Sequence, residues 1–395
     1  MKRGEEEVIE VSIRPRKGSR GICSVCGQRG PTYDTQEARA YDFVPLWGIR
    51  VFLVYALRRI DCKRCGKVKV ERVPWAEGKR WTTTAYEWFL ARWAKRLSWQ
   101  ETARVFGTSW DTVYRSVQRA VAWGLEKRSL EGITAIGVDE IAYKKGHHYL
   151  TLVYQINEGC SRLLWIGQKR EEETLRGFFE WLGEKRTAAL KFIASDMWEP
   201  YRTVIAEKAE HALHVLDRFH IMRNFNKALD QIRAAEAKKL EEEGYEPVLK
   251  KTRWIILKRP GRLKENQAER LADLLRYNLR TVKAYLLREE FQKFWEYISP
   301  TWAGKFLDDW CRETMRSRIE PMKKIVRSLR EHRELILNWF RAESAISCGI
   351  VEGLNNKVKL NTRKSYGFRK YDTLEVALYH ALGNLPEPED THKFC

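Results

Sequence analysis

The sequence predicts a multidomain α/β protein: a mixed sheet interrupted by an all-α insertion, preceded by a small four-cysteine unit and three helices. Three observations predict it. Two Cys-x-x-Cys knuckles lie near the start, at Cys23/Cys26 and Cys62/Cys65. Short apolar runs follow, two of which end in an aspartate: Asp139 in ITAIGVDEIAY and Asp196 in LKFIASD. The chain between Asp196 and the next notable acid, Glu352 in SCGIVEGLNNKVKL, is far too long for a loop.

The first 80 residues read as a ribbon. Gly27 and Gly66 close the knuckles and ease turns that point sulfurs at one ion. Four thiolates suit a closed tetrahedral zinc site. The linker between knuckles exceeds the common spacing of roughly 15–20 residues, and a β-hairpin over Tyr41 to Leu57 would fill it. Two disulfides are the alternative. MKRGEEEVIEV lacks the apolar stretch of a secretory signal, which favours reduced thiols and a cytoplasmic protein. The window Phe43 to Leu57 is too short to span a membrane. Cys160, Cys311, Cys348 and Cys395 are scattered and read as plain thiols.

Residues 81–128 read as three helices. Thr82 to Lys95 carries Ala85, Trp88, Phe89 and Trp93. Ser98-x-x-Glu101 is a capping box that opens a short second helix, and Gly107 ends it. Ser109 can cap a third, with Val113, Val117, Ala120 and Val121 as its buried stripe. Helix, glycine turn, helix is the helix-turn-helix order, whose second helix reads the major groove. Its exposed side would offer Asp111, Thr112, Arg115, Ser116 and Arg119. An ordinary helical hairpin has the same pattern.

From residue 129 to 222 the pattern is mixed. Strands over Ile133 to Val138, His148 to Ile156 and Leu163 to Gly167 form a meander. A helix over Thr174 to Leu182, a strand over Phe192 to Ser195, a helix near Tyr201 to Ala209 and a strand at His214 to Leu216 follow. If the first and fourth strands are parallel neighbours, Asp139 and Asp196 meet at the carboxyl edge of one sheet. Clustered carboxylates bind hard divalent ions, and two ions about 3.5–4 Å apart support phosphoryl transfer. Asp217, in LDRFH, is a rival ligand beside His220. A buried pair that orients strand and helix would look the same.

Residues 223–340 are helical and charged. Lys250 to Arg288 holds twelve Lys or Arg against three acids, among Trp254, Tyr277 and Tyr285, which suits nucleic-acid contact or a solvated face. Residues 341–395 bring Glu352 on a helix striped by Val351, Leu354 and Val358. The acid-free run after it carries Lys357, Lys359, Arg363, Lys364, Arg369 and Lys370, placed to clamp phosphates. Tyr366-Gly367-Phe368 reads as a turn, and the tail after Leu385 as loose. A formal charge of +20 fits a polyanionic partner.

GVDE, SDMWEPY, LDRFH and IVEGLNNKVK, in that order, resemble the Asp-Asp-Glu transposases of the ISL-three insertion-sequence family. The resemblance covers nearly the whole chain. It implies a ribonuclease-H-like catalytic core in which Asp139, Asp196 and Glu352 match the metal-binding triad, with two Mg2+ or Mn2+. It also implies a zinc finger and a helix-turn-helix at the places described. The expected partners are double-stranded DNA, as terminal inverted repeats and target, and a second copy of the chain on that DNA. The expected place is the cytoplasm, at the nucleoid. A DNA-binding regulator, an inactive copy and a structure-selective nuclease share many of these features.

Overall fold

Alternating apolar residues build the amino-terminal sheet. Strands β1 (Glu6–Ser12), β2 (Thr32–Leu46), β3 (Ile49–Cys62) and β4 (Lys67–Val70) surround β3. β1 pairs with it in parallel, β2 and β4 antiparallel. The hairpin β2–β3 is longer than its apolar centre suggests, because polar residues such as Thr32, Asp34 and Thr35 also pair. Tyr41, Tyr55 and Leu57 pack with Val73 and Trp75 in a small core. Beneath it, buried Glu71 accepts hydrogen bonds from Tyr55 Oη (2.7 Å) and Arg58 Nη2 (2.7 Å).

This computed structural model describes residues 2–3, 6–144, 146, 148–342, 348–365, 367–368 and 370–389. Tyr366, Arg369 and Cys395 lie outside them. The chain divides into two compact units, Met1–Ser129 with Lys357–Cys395, and Leu130–Asn356. No helix among the described residues is long and apolar enough to cross a membrane.

In the first unit, helices α1 (Thr84–Ala94), α2 (Trp99–Val105) and α3 (Trp110–Lys127) follow the sheet. Thr83, Ser98 and Ser109 cap them, and Glu101 returns the bond to Ser98, completing the capping box. Gly107, at φ +58°, supplies the left-handed turn between α2 and α3. Val113, Val117 and Val121 are buried, and Trp88 meets Trp123 edge-on. The carboxy-terminal tail is not loose throughout: Glu387 accepts from Arg92 Nε and Lys95 Nζ, both at 2.8 Å.

The second unit holds a five-stranded sheet: β5 (Ala135–Lys144), β6 (His148–Asn157), β7 (Cys160–Gln168), β8 (Phe192–Ser195) and β9 (Leu213–Leu216). Its order is β7-β6-β5-β8-β9. The first three strands form the expected antiparallel meander, whereas β8 is parallel to both β5 and β9. Helices α4 (Glu172–Leu182) and α5 (Glu199–Lys208) cover one face, with Phe178, Leu182, Tyr201 and Val204 against Ile136, Val153 and Ile193.

The insertion is helical throughout. Helix α6 (Arg218–Glu242) leads into α7 (Arg253–Leu257), α8 (Glu265–Leu274), α9 (Arg280–Gln292), α10 (Pro300–Arg316), α11 (Glu320–Glu331) and α12 (Arg333–Arg341). Phe225, Phe291, Phe294, Trp310 and Phe340 form the centre of its own core. Helix α13 (Cys348–Lys364) passes from the second unit to the first, which α14 (Tyr371–Leu382) completes.

One buried group gives this unit a pH dependence. His214 on β9 is bonded to Ser195 Oγ at 2.8 Å, and burial, aided by Arg202, holds its pKa down to about 4. The unfolded chain therefore binds more protons between about pH 6.5 and 4, and stability is lost as pH falls through that window. Lowering the pH from 7 to 5 should cost wild type about 2 kcal/mol more than His214→Gln, read from urea unfolding.

Candidate functional site

The sheet brings acids together through its register. Ala194 on β8 pairs with Gly137 on β5, and Ser195 pairs with Leu216 on β9. Continuing both ladders sets Asp139, Asp196 and Asp217 in one row at the carboxyl edge of three parallel strands. Each follows a buried apolar stretch and emerges where the strand ends, or where β5 leaves the core. Asp139, Asp196, Asp217, His220 and Val351 line one small cavity.

Each carboxylate is fixed. Asp139 accepts from the Glu140 amide at 2.7 Å and from Asn355 Nδ2. Asp196 accepts from the Trp198 amide at 3.0 Å. Asp217 caps α6 through the Phe219 amide at 2.8 Å and meets His220 Nδ1 at 3.1 Å. Burial, with the charges of Asp196 and Asp217, raises the pKa of Asp139. The Asp217 hydrogen bond, outweighing burial, holds His220 up at about 9, with Asp139 and Asp196 assisting.

A second layer was not expected from the sequence. Arg170 lies 3.0 Å from Glu140 and 3.9 Å from Asp196, with its guanidinium 4.0 Å from the Trp198 ring centre. Burial first, then Asp196 and Asp139, push Glu140 up to about 7. Glu140 Oε2 is buried without a hydrogen-bond partner. The adjacency of Glu140 to Asp139 and of Trp198 to Asp196 was the available signal. Nothing in the sequence pointed to Arg170.

Glu352 stands differently. Val351, Leu354, Asn355 and Val358 are buried, which turns Glu352 outward to an exposed position on α13. A Cβ on Gly137 would collide with a Val351 methyl, so glycine permits α13 to approach β5 this closely. It is Asn355, held by Tyr154 Oη at 2.8 Å, that reaches Asp139. Asp139, Asp196 and Glu352 do not bring three ligand atoms within 4.8 Å of one another. Nor do Asp139, Asp196 and Asp217 as they stand, although carboxylate oxygens are the donor type that hard divalent cations take.

The four cysteines do converge. Among the described residues they are the one group of three or more such ligands within 4.8 Å. All are free thiols; Cys23 and Cys65 sulfurs are 3.9 Å apart, and those of Cys26 and Cys62 3.4 Å. Zn–S bonds of about 2.3 Å in a tetrahedron put sulfurs roughly 3.8 Å apart, so the set fits zinc. Gly27 and Gly66, at φ +74° and +62°, make the two knuckle turns. Amides of Cys26 and Val25 bring the Cys23 thiol down to about 6.

The residues expected to contact DNA divide. Arg115 is exposed on α3 and Thr112 is half-buried at its first turn, bonded to Ser109. Ser116 is buried and bonded to the Thr112 carbonyl, and Arg119 is paired with Glu87 and Glu77. Both are engaged within the chain, Ser116 by its own helix and Arg119 by acids that helical spacing on α3 does not reveal. Lys357, Lys359 and Arg363 are exposed, whereas Lys364 is partly buried and donates to the Arg96 carbonyl.

Comparison with known proteins accords with the motif order. The chain is 29% identical to the transposase for insertion sequence element IS1001 of Bordetella parapertussis, over 88% of this chain and 85% of that one. It is 28% identical to the transposase for IS1557 of Mycobacterium tuberculosis, over 98% and 92%. The ISL3 family model, described as Transposase, matches residues 136–378, more than half of the chain. The protein belongs to the ISL3 family of transposases.

Proposed function

We propose that this transposase binds the terminal inverted repeats of its insertion sequence, cuts a strand at their ends and transfers the freed 3′-hydroxyl to target DNA. The row of Asp139, Asp196 and Asp217 at one sheet edge carries this reading. The sheet order, a meander followed by two parallel strands, supports a ribonuclease-H-like core. In this reading residues 1–80 form a zinc ribbon and 81–128 a helix-turn-helix. Residues 129–222 and 341–395 form the core, and 223–340 the insertion. Two copies act together on paired ends.

Asp139 and Asp196 would hold two Mg2+ or Mn2+, with Glu352 completing the set and Asp217 within reach. Such ions neutralise the acids, activate the attacking hydroxyl and stabilise the leaving oxygen. Asn355 and the Glu140 amide keep Asp139 oriented, and Arg170 steadies Asp196. His220 keeps a proton on Nδ1 against Asp217 and adds positive charge beside the phosphate. Glu352 completes the site when the first half of α13 turns on loading DNA. A complex with bound ends in which Glu352 remains solvent-exposed refutes that step.

The test is incubation of the full chain with Mg2+ and duplexes carrying the repeats that flank its gene. Specific retention and nicks that leave 3′-hydroxyls at the repeat ends are expected. Retention without nicks overturns the enzyme reading in favour of a regulator or inactive copy. Within α3 two variants separate the roles. Arg115→Ala should weaken end binding roughly tenfold with the fold kept. Arg119→Ala should lower the melting temperature, because buried Glu87 loses a cation.

A further inference from the structure

In the first unit, four rings from three chain segments converge without any of them being buried. Trp110 and Tyr114 at the start of α3 stack at 5.3 Å, nearly parallel at 16°. Trp99 at the start of α2 lies 5.4 Å from Tyr114 and 6.2 Å from Phe368. None of the four is buried, and Trp110 is 38% exposed. A cluster serving only to stabilise the helices would bury these faces. Here they line a cavity of about 660 Å³, with Lys364 and Lys370 also in its lining. That volume is within the roughly 300–1,000 Å³ of ligand pockets.

We propose that this cavity receives one unpaired nucleobase of the bound DNA, stacked against the Trp110 and Trp99 rings. The proposal rests on the DNA-binding reading above and adds a site to it. Stacking explains why flat rings are left half exposed, since every base offers a π-face and stacking contributes strongly to single-strand binding. Lys370, which is exposed, suits a phosphate flanking such a base. Asp111 and Asp372, which also line the cavity, repel a phosphate inside it and can accept hydrogen bonds from base N–H groups, the N3–H of thymine included. A base within a duplex is already stacked on its neighbours, so the site selects a strand that is melted or frayed.

The test uses the full chain and two fluorescein-labelled probes at one salt concentration: a single-stranded oligodeoxythymidine and a random-sequence duplex. Trp110→Ala should weaken the single strand roughly tenfold and leave duplex affinity unchanged, with Trp110→Phe restoring most of the strand affinity. Phe368→Ala, outside any helix, should give the same split even if Trp110→Ala folds poorly. Equal loss on both probes, or no loss on the strand, overturns the proposal. So does a change of oligomeric state with strand affinity intact, which would assign the cavity to a second copy of the chain. Wild-type protein that binds the duplex but not the strand also overturns it. Binding of neither probe removes the DNA-binding reading itself, a separate failure.

Discussion

Asp139→Asn should abolish strand cleavage and leave binding of the inverted repeats nearly intact. The carboxylate stands at one end of the aspartate row, held by the Glu140 amide and Asn355, and asparagine fills the same space with one charge fewer. Ion binding depends on that charge, and the fold does not. Metal stabilisation of the transition state is worth several kcal/mol, so cutting should fall by roughly a thousandfold or more. Nicking assays in Mg2+ and in Mn2+, beside gel shifts on the same preparation, measure both quantities. Undiminished cutting would remove Asp139 from the chemistry.

The second large effect falls on the amino-terminal unit. Cys23→Ser should release about one zinc per chain and unfold the knuckles, because apparent zinc affinities of roughly 10–16 kcal/mol exceed what so small a core supplies alone. Cys23 is fully buried at the centre of the group. Hydrogen exchange should accelerate in residues 21–31 and 62–70, while the Tyr55, Arg58 and Glu71 network keeps the middle of β3 protected. Metal analysis of reduced wild-type protein gives the reference value. Absence of zinc there would refute the assignment, and a chelator should reproduce the variant's exchange pattern.

The strand ends were legible because each had the same local design, an apolar run and then an acid, and burial dictates both halves. The capped helices α2 and α3 were legible for a related reason: Ser98, Glu101, Ser109 and Gly107 act within a few residues. What could not be read depends on partners distant in sequence. Ser116 and Arg119 look like any polar residues on a helix until Glu87 and the packing of α1 are known. Asn355 reaches Asp139 because Gly137 admits Val351, a contact no periodicity encodes. The tail was misjudged because Glu387 finds Arg92 and Lys95 from the far end of the chain. The aromatic cavity drew rings from α2, α3 and a turn near Phe368, and only the first two were neighbours in sequence.

The crowded aspartate row also bears on how such a gene decays. Asp139 is buried beside Asp196 and Asp217, so as an apo protein the chain carries like charges that folding alone would not select. Replacing Asp139 by asparagine relieves that repulsion; because both Asp139 oxygens accept, the new amide stays paired when Asn355 turns its own oxygen toward it, and with that turn the variant should melt no lower than wild type. An insertion-sequence copy released from selection for movement can therefore lose its acids first and keep its folded body. Under the end-binding proposal, inactive descendants would persist as stable proteins able to occupy the ends of their active relatives.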